Sequence, residues 1–585
     1  MGLVYERQGQ YNKAFEAYQQ ALIISKRIGD KLGIAITLNN IGTAYLTQNK
    51  YYQAEANLFA SIENWETLRN GLVDNDKISI FEQQEYSYRF LQQALTAQNK
   101  TDQALEISER GRARAFVELI ASRLTTTSNS KMKPPTIEEI KKIAKIQNAT
   151  IVQYSIPYYN FKVAGKQQFK ESELYIWVIK PTGEISFRPS DLKSVWQKQN
   201  ISLRDKIAQA RQSIIKGVNV ASRGNNITFT PGDRVKLNDD DPDWEAWQVI
   251  SVDIKNGKIT IRLPSWEAEK PAIERPIADV AKKTSINSSG ANAKNLQLQE
   301  LYQLLIQPIA DILPKEETAR VIFIPQDALF LVPFPALQDS SGQYLIDKHT
   351  ILTAPSIQVL ESTHKLRQKV PGSAKDILIV GNPTMPKVSK KPGELPQQLG
   401  ALPGSEKEAL AIASFWKTQA LIGNQATKKA VLGKLPLAKI IHLATHGLLD
   451  DIQGLGSSIV FAPEDQDNGL LTAEEILNLY TPTQGSTLSA ELVVLSACDT
   501  GQGRLTGDGV IGLSRSIIAA GVPSVIVSLW SIPDAPTAEL MTEFYENFRK
   551  DPDKATALRQ AMLTTKKKHP NPADWAAFTL IGESE

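Results

Sequence analysis

The chain is 585 residues long, 22% charged and 42% apolar, with a formal net charge of +3. That length accommodates two to four domains with cores of their own, and so small a net charge gives no electrostatic ground for a nucleic-acid or membrane partner. A single cysteine excludes an intrachain disulfide and a Cys-rich zinc site and fits a reducing compartment; with no signal-peptide core and no apolar run of 18 residues, the expectation is a soluble cytoplasmic protein.

Internal repeats open the chain. Gln8-Gly-Gln-Tyr-Asn-Lys-Ala14, Gln48-Asn-Lys-Tyr-Tyr-Gln-Ala54 and Gln98-Asn-Lys-Thr-Asp-Gln-Ala104 share one pattern, and Gly2-Leu-Val-Tyr5 returns as Gly42-Thr-Ala-Tyr45. Small and aromatic residues at helical spacing around a short turn predict paired helices of the tetratricopeptide type over residues 1–124. The third copy carries extra residues near Gly71–Gln83. Met1-Gly2 aligns with Ile41-Gly42, so either earlier repeats were trimmed or the array is short. Such helices offer a concave surface for a protein substrate or a regulatory protein, or else form a packed scaffold with no partner. Ser108-Glu-Arg-Gly-Arg-Ala-Arg-Ala-Phe116 interleaves charges with apolar positions and is expected to be a solvated helix face. Residues 125–149 are expected to be a linker, beginning with a polar, Pro-containing stretch.

From Thr150 the pattern turns to strands: Ile151–Ser155, Leu174–Ile179, Arg320–Ile324, Asp376–Val380 and Ser524–Leu529 are apolar and β-rich. Helical stretches at Asn295–Ile312, Glu406–Thr418 and Gly509–Ala520 separate the later ones. Alternation of this kind implies an α/β sheet covered on both faces. Residues 223–290 interrupt it. Phe229-Thr-Pro-Gly-Asp-Arg-Val-Lys236 precedes a stretch that folds about Asn256-Gly257, pairing Ile254 with Ile259, Val252 with Ile261 and Ile250 with Leu263. This reads as an inserted small β-barrel resembling an SH3 domain, either a self-contained decoration or a binding module.

Two apolar runs end on chemistry. Lys439-Ile-Ile-His-Leu-Ala-Thr-His-Gly447 stops at His446-Gly447, and Glu491-Leu-Val-Val-Leu-Ser-Ala-Cys-Asp-Thr-Gly501 stops at the lone Cys498. Buried strands that end this way deliver side chains to the carboxyl edge of a sheet. A thiol beside an imidazole is a nucleophile with its proton-transfer partner; taken alone, Cys498 reads equally as a small core residue. Gly447, lacking Cβ, would let its N–H approach a substrate oxyanion. His442 precedes His446 by four and shares its strand face; it is expected to be a hydrogen-bonded support, with a two-His metal pair as the alternative. No metal and no cofactor are expected, since phosphate-loop, dinucleotide and zinc motifs are missing from the sequence.

His442-Leu-Ala-Thr-His-Gly447, Leu495-Ser-Ala-Cys-Asp-Thr-Gly501, Gly507-Asp-Gly-Val-Ile-Gly-Leu-Ser-Arg515 and Ser528-Leu-Trp530 with Asp534 resemble the CHAT family of caspase- and separase-like cysteine proteases, commonly fused to tetratricopeptide repeats. The resemblance implies a pseudo-protease lobe over 150–222 and 291–370 and an active lobe over 371–585. It implies a cysteine endopeptidase with a Cys498–His446 dyad, with the repeats recruiting substrate or regulating activity; the alternative is a catalytically silent scaffold that acts by binding proteins. For substrate binding it points to Ser496, Asp508, Trp530 and Asp534. Metacaspase-type relatives place an acid where this chain has Ser496, and separase-like relatives carry further aspartates where it has Pro536 and Ala538. Asp534 thus reads either as the partner of a basic P1 side chain or as a turn cap, and Asp508 reads equally as a helix cap.

Overall fold

A computed structural model of the chain describes all residues except 70–73, 125–132, 164–165, 200, 216–233, 238–246, 254–257, 264–271, 277–279, 284–288, 371–375, 390–394, 451–453, 481–487, 498–499, 501–503 and 507–508. The repeats form as helices Gly2–Arg7, Tyr11–Ile28, Lys31–Thr47, Tyr51–Arg69, Asp74–Thr96 and Thr101–Arg110. The recurring alanines Ala14, Ala54 and Ala104 are fully buried, where only a small side chain lets helices approach. At the equivalent turns, Gly9, Asn49 and Asn99 take left-handed backbone, which Gly and Asn adopt at least cost.

The joint between repeats and sheet overturns the expected solvated face. The helix stops at Arg110, Ala113 is left-handed (φ +49°), and a new helix runs Arg114–Leu124. This break turns the charges inward. Glu109, Arg112 and Arg114 are buried, and only Arg110 stays near the surface, held by Glu66 at 2.7–2.8 Å. Arg112 donates to the carbonyls of Tyr154, in the Thr150–Ser155 strand near its end, and of Pro325, just after Arg320–Ile324. Glu109 accepts the Gln358 N–H at 3.0 Å, and Arg114 donates to Gln358 Oε1 at 2.9 Å. Carbonyls near strand ends need donors once buried, and Arg112 supplies two of them. The expected linker is also partly structured. Ile137–Gln147 is a helix opened by a reciprocal Thr136–Glu139 capping box.

Eleven strands form one sheet, in the order Ala420–Gly423, Asp376–Pro383, Ala438–Ala444, Leu492–Leu495, Ser524–Ser528, Phe578–Gly582, Thr350–Thr353, Arg320–Ile324, Thr150–Ser155, Glu173–Ile179, Ile185–Asp191. The first five are mutually parallel, as are Thr150–Ser155, Arg320–Ile324 and Thr350–Thr353. Phe578–Gly582 runs antiparallel to Ser524–Ser528. Period-two alternation divides the strands between two cores. Ile379, Ile440, Val494 and Ile526 face one, and Val380, Ile441, Val493 and Val527 face the other. Both faces are therefore covered, as an apolar parallel sheet requires. One cavity is lined by Thr353–Pro355 after one strand and Leu529 after another, together with Phe116 and Arg515. The Thr350–Thr353 and Ser524–Ser528 strands thus both end at this cavity.

The 223–290 segment holds a separate five-stranded antiparallel sheet with its own small core around Val235, Trp247, Val249, Ile259 and Ile261. Its hairpin register differs from expectation. Val252 pairs with Ile259 and Val249 with Ile261, with an irregularity between Val249 and Ser251. Ile254 and the expected turn residues Asn256-Gly257 lie outside the described residues. At Val252 the slip is two residues, which keeps each side chain on its face and which apolar matching cannot detect; beyond the irregularity it is three, which puts Val249 in the core and leaves Ile250 exposed.

Candidate functional site

The Ala438–Ala444 and Leu492–Leu495 strands are neighbours and parallel, pairing His442 with Val494 and Leu443 with Leu495. Each pair is 52 residues apart, and so are His446 and Cys498 in the sequence. Beyond the last pair, each segment has three residues to its candidate group. Cys498 and Asp508 lie outside the described residues. The residues flanking Cys498 are fixed. Ser496 and Ala497 are buried, Thr500 Oγ1 donates to Leu495 O at 3.2 Å, and Ser528 N–H donates to Thr500 Oγ1 at 3.0 Å. The Ser528 hydroxyl donates to Ala497 O. The next strand thus braces the chain on both sides of Cys498.

His446 is only 1% exposed, and its Nε2 lies 2.8 Å from the carbonyl of Gly400. A carbonyl can only accept, so Nε2 carries the hydrogen. A neutral ring in that tautomer has its lone pair on Nδ1, the atom able to take a proton. Gly447 begins a two-residue strand opposite Ile459, and His446 O accepts the Val460 N–H at 3.0 Å. This pairing fixes the backbone on which both His446 and Gly447 ride.

Beneath it, His442 is fully buried between two partners. Its Nε2 meets Glu408 Oε1 at 2.8 Å and its Nδ1 meets the Tyr545 hydroxyl at 3.1 Å. Burial, followed by the Glu408 charge, pushes the Tyr545 phenol well above its usual range and keeps it a neutral hydrogen-bonding group. Both His442 nitrogens are engaged within the protein. Among the described residues no group of three or more His, Cys, Asp or Glu is placed to hold a metal ion.

Three of the proposed substrate residues lie among the described ones. Trp530 is 1% exposed in the main core, with its indole N–H on Ala573 O at 3.2 Å, so it packs. Ser496 is fully buried. Asp534 is buried at the start of the Asp534–Lys550 helix, its carboxylate accepting from Gly404 N–H and Ser405 Oγ. The sequence reading missed Gly400, Glu408 and Tyr545, and quoted Ser528 in a motif without giving it a role. Gly400 acts through its backbone, and Glu408 and Tyr545 lie on elements remote in sequence, so no local motif marks them.

The CHAT domain matches residues 296–583, and a tetratricopeptide repeat family matches residues 1–66. Tetratricopeptide repeat protein 28 from Mus musculus and from Homo sapiens are each 27% identical over 94% of this chain, which spans about a quarter (24%) of their length. Among solved structures, the Saccharomyces cerevisiae separase–securin complex is similar at 12% identity and a TM-score of 0.45, covering 91% of this chain and 37% of that one. The pro- and mature domains of Porphyromonas gingivalis RgpB are similar at 11% identity and a TM-score of 0.29, covering 52% of this chain and 73% of that one.

Proposed function

We propose, for a chain that belongs to the CHAT-domain proteins carrying tetratricopeptide repeats, that it is a cysteine endopeptidase acting on a protein substrate through Cys498 and His446. One observation carries this reading: the two candidate groups follow adjacent parallel strands whose 52-residue offset equals their own separation. The His446 tautomer supports it. With Nε2–H given to Gly400, Nδ1 takes the thiol proton, and the thiolate sulfur bonds to the scissile carbonyl carbon. The resulting imidazolium returns its proton to the leaving amine, and water then hydrolyses the thioester. The Gly447 N–H is the proposed donor to the tetrahedral oxyanion. The low exposure of His446 supports a further point. A peptide reaches the site only after its cover moves, which gives a protein bound on the repeats a step to control.

The test compares wild type, Cys498→Ala and His446→Ala on a denatured proteome, mapping new N-termini. New termini from wild type and none from either folded variant are expected. Termini that persist with folded Cys498→Ala would sink the protease reading. A folded wild type that cuts nothing, with or without a repeat-bound partner, would leave the silent scaffold.

A further inference from the structure

Asp534 stands at the first position of its helix, 6% exposed, yet its carboxylate serves a different helix. It accepts the Gly404 N–H and, at 3.3 Å, the Ser405 hydroxyl. Both groups belong to the first turn of Pro403–Trp416, whose N-cap residue, Leu402, offers no side-chain cap. The carboxylate therefore supplies across space the acceptor that this helix start lacks, at the end where the helix dipole favours negative charge. The fit is close: a Cβ on Gly404 would lie 2.4 Å from Asp534 Cγ.

Four residues before Gly404 is Gly400, whose carbonyl takes the His446 Nε2–H. Between them Leu402 N–H donates to Asn382 Oδ1 at 2.7 Å, and Asn382 Nδ2 donates to Glu406 Oε2 at 2.9 Å. The 400–402 segment is thus a short strap. One end is pinned to the helix start that Asp534 holds, and the other to the imidazole. We infer that Asp534 is a positioning residue for His446, fixing through the helix start the carbonyl that sets the ring's tautomer and orientation. The inference rests on the proposed dyad. It gives a residue otherwise read as the partner of a basic P1 side chain a different role, since each of its carboxylate oxygens accepts a bond from one helix start.

The probe is iodoacetamide, a neutral alkylator, applied to the full chain over a pH series; one cysteine in the sequence makes the reading specific to Cys498. Asp534→Ala should raise the pH midpoint of alkylation and slow the reaction at neutral pH by on the order of tenfold to a hundredfold, the scale of a misplaced catalytic group. Asp534→Asn keeps an oxygen for the Gly404 N–H and should recover most of the rate. Gly404→Ala keeps the carboxylate but crowds it, and should reproduce the loss. Thermal melts run in parallel, and Ser405→Ala supplies a milder variant should Asp534→Ala not fold. Wild-type midpoints in folded Asp534→Ala or Ser405→Ala would overturn the inference. So would unchanged alkylation with cleavage lost only after Lys and Arg, which would put Asp534 in the substrate pocket. If His446→Ala also leaves the midpoint unmoved, the dyad itself fails, and that result is separable from a failure at Asp534.

Discussion

Arg112→Ala should cost more stability than any surface change, because the guanidinium is 4% exposed and stands between elements distant in sequence. Its loss strands the carbonyls of Tyr154 and Pro325, and an unsatisfied buried polar group costs roughly 1–3 kcal/mol. It also removes the positive charge that favours ionised Glu109, whose carboxyl burial already pushes upward. Burial likewise brings the Arg112 pKa down to about 10, still charged at neutral pH. With two carbonyls stranded, a loss of roughly 2–6 kcal/mol is expected, against a total of about 5–15 kcal/mol for a domain. Guanidinium chloride unfolding monitored by circular dichroism gives the measurement, read as a shift in midpoint at constant slope. Glu109→Gln combined with Arg112→Ala should cost less than the two separate losses added, since the second change neutralises the charge that the first strands. A loss below about 1 kcal/mol for Arg112→Ala, with no coupling to Glu109, would refute the reasoning. Water would then be replacing the guanidinium, and the joint would not be a clamp.

Two further outcomes follow from other sites. Burial, then the Lys348 and Arg559 charges, lowers the His349 pKa to about 4 from 6.5, and its Nδ1 is buried without a hydrogen-bond partner; the unfolded chain therefore binds the proton first, and stability should fall by up to about 3 kcal/mol as pH drops from 6.5 to 4, a slope that His349→Asn should flatten in pH-dependent unfolding. Gly381→Ala should lower the melting temperature through an overpacking cost of about 1–3 kcal/mol, since the new Cβ would meet Ala409 Cβ at 2.4 Å and Ser405 O at 2.6 Å; an unchanged melt would show that the Pro403–Trp416 helix yields freely.

What the sequence disclosed and what it hid divide along physical lines. Repeats, sheet strands and the two strand ends bearing His446 and Cys498 were legible because each is a local pattern: apolar periodicity, a turn residue, a glycine after a run. The Glu109–Arg114 charges misled because a pattern of alternating charge looks the same on a solvated helix and on one broken at Ala113 and driven against strand ends; only the left-handed turn separates them. The helix Ile137–Gln147 carried its capping-box signal, Thr136 and Glu139, beside a proline-rich stretch that masked it. Gly400 could not have been found at all, since a backbone carbonyl leaves no trace in residue identity. Trp530 and Asp534 were visible as motif residues, yet the motif does not distinguish a wall of a substrate pocket from a core side chain or a cross-helix cap.

The buried joint also changes how the repeats can act. A chain shortened to begin near Thr125 would lose Glu109, Arg112, Arg114 and Phe116, which are all buried, so altered cleavage by such a chain would report a damaged fold as readily as a missing gate. A signal from the repeats has a narrower route. The Arg114–Leu124 helix packs on Leu513–Ala519, with Arg515 over the Phe116 ring at 5.3 Å, and Leu513 follows the segment that contains Cys498 by fifteen positions. Under the proposed function, a partner bound on the repeats would act on the site through this route by favouring one arrangement of the helix pair over another. A difference of about 1–3 kcal/mol between the arrangements would change activity roughly 5- to 150-fold. That is about half the cost expected for removing the Arg112 clamp, so the joint can stay intact while the site is switched.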